Sequence, residues 1–213
     1  MGYIIACDFD GTVTATDTIV AIIKKFAPIE GRPITDQILN QEISIQHGVT
    51  ELFRLLPSEK KEDIIQFALE EVNLRPGFQK LLDEAQTLNI PFYIISGGMH
   101  FFIDPILEKF NGIKQVFVNT VDFSGDYMEV IWNHPCDNLC TGNCGICKPS
   151  IVRQLVDDNK VIAIGDSVTD LKLLGIADIA FTTSKLTEFA QEKGIAHHHF
   201  ETFDDIKLSE VIK

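Results

Sequence analysis

The sequence predicts an α/β protein built on a doubly wound, mainly parallel sheet, with a small helical cap inserted after the first strand. Three observations predict it. Short apolar runs without charges, at residues 3–7, 91–95 and 161–164, read as strands buried on both faces. Segments with helical spacing of apolar residues separate the later runs, and strand–helix alternation is the pattern of parallel crossover units. Between residues 16 and 74, by contrast, helical runs succeed one another with no strand pattern among them.

The 213 residues suit one large domain, or a core with a smaller insertion. With 45% hydrophobic and 23% charged residues, the chain can bury a sizeable core. A formal net charge of −13 speaks against nucleic acid and anionic membranes as partners. A small anionic ligand would need a local cation to overcome that field. No run approaches the length of a membrane span, and the apolar run at 3–7 ends in Asp8, too short for a signal peptide. Ala6 stands where a myristoylation motif needs Ser or Thr. A cytoplasmic location is expected, with Cys7 a reduced core residue.

Taken in order, the first strand stops at Asp8-Phe9-Asp10-Gly11-Thr12, where Gly11 and Thr12 mark a turn that leaves both carboxylates at the strand's carboxyl end. Asp17 is placed to cap a helix through residues 18–26, which Pro28, Gly31 and Pro33 break. A second run starts at Thr35, carries Ile38, Leu39, Ile43 and Ile45, and ends near His47-Gly48. A third carries Leu52, Phe53, Leu55 and Leu56 up to Pro57, and Ser58 opens a fourth with Ile64, Ile65, Phe67, Ala68 and Leu69. Residues 16–74 are therefore expected to form the cap, and residues 1–15 and 75–213 the Rossmann-like core.

Pro76 reads as the first residue of a helix carrying Phe78, Leu81, Leu82 and Ala85, with Arg75 before it as an exposed side chain rather than a substrate contact. The strand at 91–95 ends in Ser96-Gly97-Gly98. A helix over 101–110 leads to a strand at 115–118, and a hairpin over 120–133 turns at Ser124-Gly125-Asp126. After a cysteine-rich stretch, 136–147, come a helix at 149–156 and the strand at 161–164, ending in Gly165-Asp166-Ser167-Val168-Thr169-Asp170. A short strand at 179–181, a helix at 185–193 and a tail with Ile195 and Phe203 complete the pattern.

Three buried strands thus end in polar, glycine-containing chemistry. If they are parallel, those ends share one edge, which is where open α/β sheets bind ligands. Helix capping accounts for Ser96 or for Asp166 singly. It does not account for Asp8, Asp10, Asp166 and Asp170 together, because unpaired carboxylates repel one another and take up protons. A hard divalent cation resolves the conflict. Asp8, Asp166 and Asp170, with waters and a backbone carbonyl, suit six-coordinate Mg2+. Lys148 adds a second positive charge. Carboxylates, Mg2+, a hydroxyl, glycine amides and a lysine together suit phosphoryl transfer.

These residues also resemble, in order and over nearly the whole chain, the four motifs of the haloacid dehalogenase-like phosphohydrolases: Asp8-Phe9-Asp10-Gly11-Thr12, Ser96-Gly97-Gly98, Lys148, and Gly165-Asp166-Ser167-Val168-Thr169-Asp170. The spacing is similar to the subgroup whose cap lies between the first and second motifs. The resemblance implies that Asp8 is a nucleophile forming an aspartyl-phosphate and that Asp10 protonates the leaving oxygen, then takes a proton from water. It implies that Ser96 and the Gly97 amide hold phosphoryl oxygens while Lys148 neutralises charge. Mg2+ would sit on Asp8, Asp166 and the Asp10 carbonyl, with Asp170 either a ligand or a partner of one. The implied substrate is a small phosphorylated metabolite; phosphoserine, phosphocholine and phosphoethanolamine phosphatases share this plan.

Cys136, Cys140, Cys144 and Cys147 lie within twelve residues, with His134 just upstream. Four thiolates could enclose a structural Zn2+, although their x3, x3, x2 spacing is not a common zinc-finger spacing. The plainer expectation is a compact thiol-rich loop that positions Lys148. His197-His198-His199 reads as an edge strand or solvated loop. Two rivals come from other classes. A receiver-like signalling domain also phosphorylates an aspartate, but needs neither Asp10 as an acid nor a chain this long. A non-catalytic zinc-binding interaction protein would show no phosphatase activity and would keep its binding after Asp8→Asn.

Overall fold

A strand forms at Tyr3–Cys7 (β1) because every residue after Tyr3 is buried, with successive side chains entering opposite layers. Ile5 and Cys7 join one apolar cluster, and Ile4 and Ala6 join the other. A strand with two buried faces has no place for an alternating polar residue, which explains the continuous apolar run.

The computed structural model describes residues 2–140, 142 and 144–212. Thr141 and Asn143, within the cysteine-rich stretch, lie outside the described residues. After β1 come α1 (Thr18–Phe26), α2 (Gly31–Leu39), α3 (Ile45–Phe53), α4 (Lys61–Glu71), α5 (Phe78–Thr87), β2 (Phe92–Met99), α6 (His100–Leu107), β3 (Ile113–Asp122) and β4 (Glu129–Ile131). Then follow α7 (Lys148–Leu155), β5 (Lys160–Gly165), α8 (Leu171–Leu174), β6 (Ile179–Thr182), α9 (Ser184–Glu192), β7 (His198–His199) and α10 (Leu208–Val211). The sheet order is β4-β3-β2-β1-β5-β6-β7, parallel except for the β3–β4 hairpin. The chain order reverses beside β1, so the switch point falls between β1 and its neighbours. No helix among the described residues is long and apolar enough to cross a membrane.

Helices α5, α6 and α10 cover one face, and α7, α8 and α9 the other. Phe78 is the hub of the first layer. Its ring lies 5.8 Å from Phe92, 4.9 Å from Phe110 and 5.1 Å from Phe203, joining α5, β2 and the C-terminal segment.

Several boundaries differ from expectation. Helix α1 starts where Asp17 predicts it, with the Asp17 side chain accepting from the Val20 amide. Helix α2 already begins at Gly31, because Pro33 in a first turn removes only an amide that has no intrahelical partner. Gly48 does not end a helix but lies inside α3, where a Cβ would run into Ile38 of α2. Pro76 precedes α5 instead of starting it. Gly77, with φ of +87°, is the capping residue. Strand β2 continues through Ser96-Gly97-Gly98 to Met99, and β3 runs well past the expected segment to pair with β4. His198 and His199 form the short edge strand β7.

Phe78→Ala removes a side chain that is 2% exposed and in contact with three other rings. It is expected to cost about 3–5 kcal/mol. A urea titration will read this as a lower midpoint at unchanged slope. A loss within error of zero would contradict the packing described.

Candidate active site

The carboxyl ends of β1, β2 and β5 meet at one edge of the sheet. At the end of β1, Asp8 continues the strand's ladder, its amide donating to the Ile164 carbonyl at 2.9 Å. The chain then turns. Gly11 takes φ of +83°, and a Cβ there would collide with the Asp166 carboxylate. Thr12 follows, its hydroxyl donating to Asp166 Oδ1 at 3.2 Å. The first loop is thus shaped against the last motif.

Lys148, the first residue of α7, is 3% exposed and enters between two carboxylates. Its Nζ lies 2.7 Å from Asp8 Oδ1 and 2.6 Å from Asp170 Oδ1. Asp170 is fully buried. Its second oxygen accepts from the Asp166 and Ser167 amides, both at 3.3 Å, so protein donors engage both sides of this carboxylate. Single oxygens of Asp8, Asp166 and Asp170 come within 4.8 Å of one another.

Asp10 is held differently. Its Oδ1 accepts from the Thr18 amide at 3.0 Å, and its Oδ2 from the Ser96 hydroxyl at 3.2 Å. The pairing of β2 with β3 shifts register between Ile95 and Met99. That irregularity carries Ser96, Gly97 and Gly98, and the Ser96 hydroxyl accepts from the Gly98 amide at 3.2 Å. All the expected aspartates, Ser96, Gly97 and Lys148 therefore stand at one edge.

Burial drives the electrostatics. It pushes Asp8 up to about 6 against the pull of Lys148, and Asp10 up to about 7, with Asp17 adding repulsion. Burial together with Asp8 and Asp170 pushes Asp166 up to about 8. For Lys148, burial acts to lower the pKa, but Asp170 and Asp8 outweigh it and keep the ammonium charged. With all three carboxylates ionised, the one ammonium leaves a deficit of two positive charges at this spot, which is what favours proton uptake there.

Three residues support this edge through contacts that the sequence does not announce. Arg75 is not the exposed side chain expected of it. Its guanidinium donates to the carbonyls of Thr12 at 3.0 Å, Gly11 at 2.9 Å and Glu201 at 2.6 Å, and lies over the Phe200 ring. It ties the loop after β1 to the C-terminal segment. Asn119, fully buried in β3, donates to the Gly97 carbonyl at 3.3 Å and accepts from the Asn133 amide at 3.4 Å. A polar residue closing the apolar run Val116-Phe117-Val118 was its only signal. Thr12 is the third, through its bond to Asp166.

A family model described as haloacid dehalogenase-like hydrolase matches residues 5–175. A 2-hydroxy-3-keto-5-methylthiopentenyl-1-phosphate phosphatase of Bacillus cereus (strain AH820) is 46% identical over 202 residues, covering 94% of this chain and 92% of its own. The protein of the same name from Bacillus mycoides (strain KBAB4) is 47% identical over 201 residues, with the same coverage. Among solved structures, a substrate-bound phosphoserine phosphatase complex aligns with a TM-score of 0.74 at 19% identity. It covers 100% of this chain and 99% of its own, a likeness of fold.

Asp166 has a testable pH signature in metal-free protein. Its folded pKa of about 8 lies above the unfolded value, so the folded state keeps a proton that the unfolded chain releases. Stability then falls as pH rises from roughly 4 towards 8. In EDTA, Asp166→Asn is expected to melt above the parent at the alkaline end of this window, with the gap closing at the acid end. Parallel melting curves across the window would contradict it.

Proposed function

The chain belongs to the haloacid dehalogenase-like hydrolases, and from that premise we propose that it is a magnesium-dependent phosphomonoesterase acting on 2-hydroxy-3-keto-5-methylthiopentenyl-1-phosphate, the methionine-salvage substrate named in its relatives. The carrying observation is the buried Lys148 between Asp8 and Asp170, beside Asp166. This set consists of hard oxygen donors and lacks two positive charges, which fits a divalent cation. Asp8, Asp166 and the Asp10 backbone carbonyl would hold Mg2+. When bound, it supplies charge neutralisation and polarises the phosphoryl oxygens. Asp170, with both oxygens engaged by Lys148 and two amides, serves in this reading to position Lys148.

The chemistry then runs on this chain's own groups. An Asp8 oxygen attacks phosphorus, a P–O bond to Asp8 forms, and the ester P–O bond breaks. Asp10, whose raised pKa lets it carry a proton near neutrality, protonates the departing oxygen. Asp10 next takes a proton from water, whose oxygen attacks phosphorus. The bond to Asp8 breaks, and inorganic phosphate leaves. Ser96 and the Gly97 amide hold phosphoryl oxygens, and Lys148 keeps Asp8 ionised.

Helices α1 to α4 act as the cap over the core at residues 1–15 and 75–213. The Thr18 amide that holds Asp10 belongs to the first residue of α1, so cap position and acid position are linked. Closure would exclude bulk water from the reacting phosphate. Five cysteines outside any disulfide suit a reducing cytoplasm, and Lys148 offers the local positive charge that an anionic metabolite needs on so acidic a chain.

Phosphate release should require Mg2+ and favour the methylthio enol-phosphate over phosphoserine and phosphocholine. Asp8→Asn should abolish turnover, and Asp10→Asn should lower it by about 10²–10⁴-fold. Preference for another ester would overturn the substrate. Normal rates in either variant would overturn the roles.

A further inference from the structure

We propose that Cys136, Cys140, Cys144 and Cys147 bind a structural Zn2+ that fixes the loop leading into Lys148. Their four Sγ atoms all lie within 4.8 Å of one another. Four thiolates around zinc at about 2.3 Å place neighbouring sulfurs about 3.8 Å apart. Cys140 Sγ and Cys144 Sγ stand 3.7 Å apart. The loop is closed at its base, where the Cys147 amide donates to the His134 carbonyl at 3.1 Å, and the Cys140 amide turns back to the Asp137 carbonyl at 3.1 Å. Pairing into disulfides would draw sulfurs together two by two, to about 2.0 Å. Here each sulfur faces the other three, and all are free thiols.

The surroundings suit a charged metal–thiolate centre. Four thiolates and one Zn2+ carry a net charge of −2, and Lys172 Nζ lies 3.4 Å from Cys140 Sγ and 3.3 Å from Cys144 Sγ. Arg153 of α7 grips Asp137 through two bonds of 2.8 and 2.6 Å, holding the start of the loop against the helix. Binding takes the protons from those thiols that still carry them and releases them to solvent. His134 is not needed as a ligand; its ring packs against Phe117.

The cluster adjoins the proposed catalytic groups through two residues. Cys147 immediately precedes Lys148, and Ile146 lies 3.9 Å from the position a Cβ would take on Gly97. One metal would thereby set the entry of the buried lysine and back the Ser96-Gly97-Gly98 segment.

The test needs no substrate, so its failure and that of the phosphatase reading are distinguishable. Protein purified with reductant and without chelator should contain about one zinc per chain. Zinc should be released to a chromogenic indicator as an organomercurial titrates the thiols. Cobalt exchanged into the wild-type protein should give the thiolate charge-transfer and strong visible bands of a tetrahedral sulfur site. Cys140→Ser and Cys144→Ser should lose the zinc, and Cys7→Ala should retain it, each checked for folding by circular dichroism. Zinc at background after expression in zinc-supplemented medium would overturn the proposal. So would a weak octahedral cobalt spectrum in the wild-type protein, or full zinc content in folded Cys140→Ser.

Discussion

The ammonium of Lys148, buried between Asp8 and Asp170, is the contact on which the rest of the edge depends. Taking such charges out of water is costly, and only close pairing makes it tolerable. Lys148 reaches that point because α7 begins there, and Asp170 because a short helical turn at Val168–Asp170 folds its carboxylate back onto the Asp166 and Ser167 amides. Asp8 arrives on the central strand. Three separate parts of the chain must therefore agree within hydrogen-bond distance before the ammonium meets both carboxylates, and a parallel sheet with the switch point at β1 supplies that agreement.

The loops are held with similar care. Arg75 binds the carbonyls of Gly11 and Thr12, and Asn119 braces Gly97 from the neighbouring strand. The inserted helices are not an independent unit in their packing. Phe53 and Leu52 of α3 share an apolar cluster with Phe102 and Ile103 of α6, and the Phe101 ring stands 6.4 Å from Phe53 and 5.2 Å from Phe123. The Asp10 carboxylate is held partly by the Thr18 amide, the first of α1.

The strands were legible because burial on two faces leaves runs such as Ile4-Ile5-Ala6-Cys7 with no polar interruption. The aspartate positions were legible because Asp and Gly at several strand ends have no joint structural explanation. The α2 and α3 boundaries were not. Gly48 and Pro33 read locally as breaks, whereas one permits close approach of two helices and the other occupies a first turn. The roles of Arg75, which reads locally as an exposed side chain, and of Asn119 were not legible for a related reason. Their partners are backbone carbonyls and amides distant in sequence, which no side-chain pattern records.

The proposed chemistry requires that Asp8 become covalently phosphorylated. The most direct measurement is acid quenching during a single turnover of substrate labelled in its phosphate, followed by peptide mapping. The expected result is label on the peptide containing Asp8, labile to hydroxylamine and absent from Asp8→Asn. Complete single-turnover release of phosphate with no protein-bound label at any time, or label on a different residue, would contradict it.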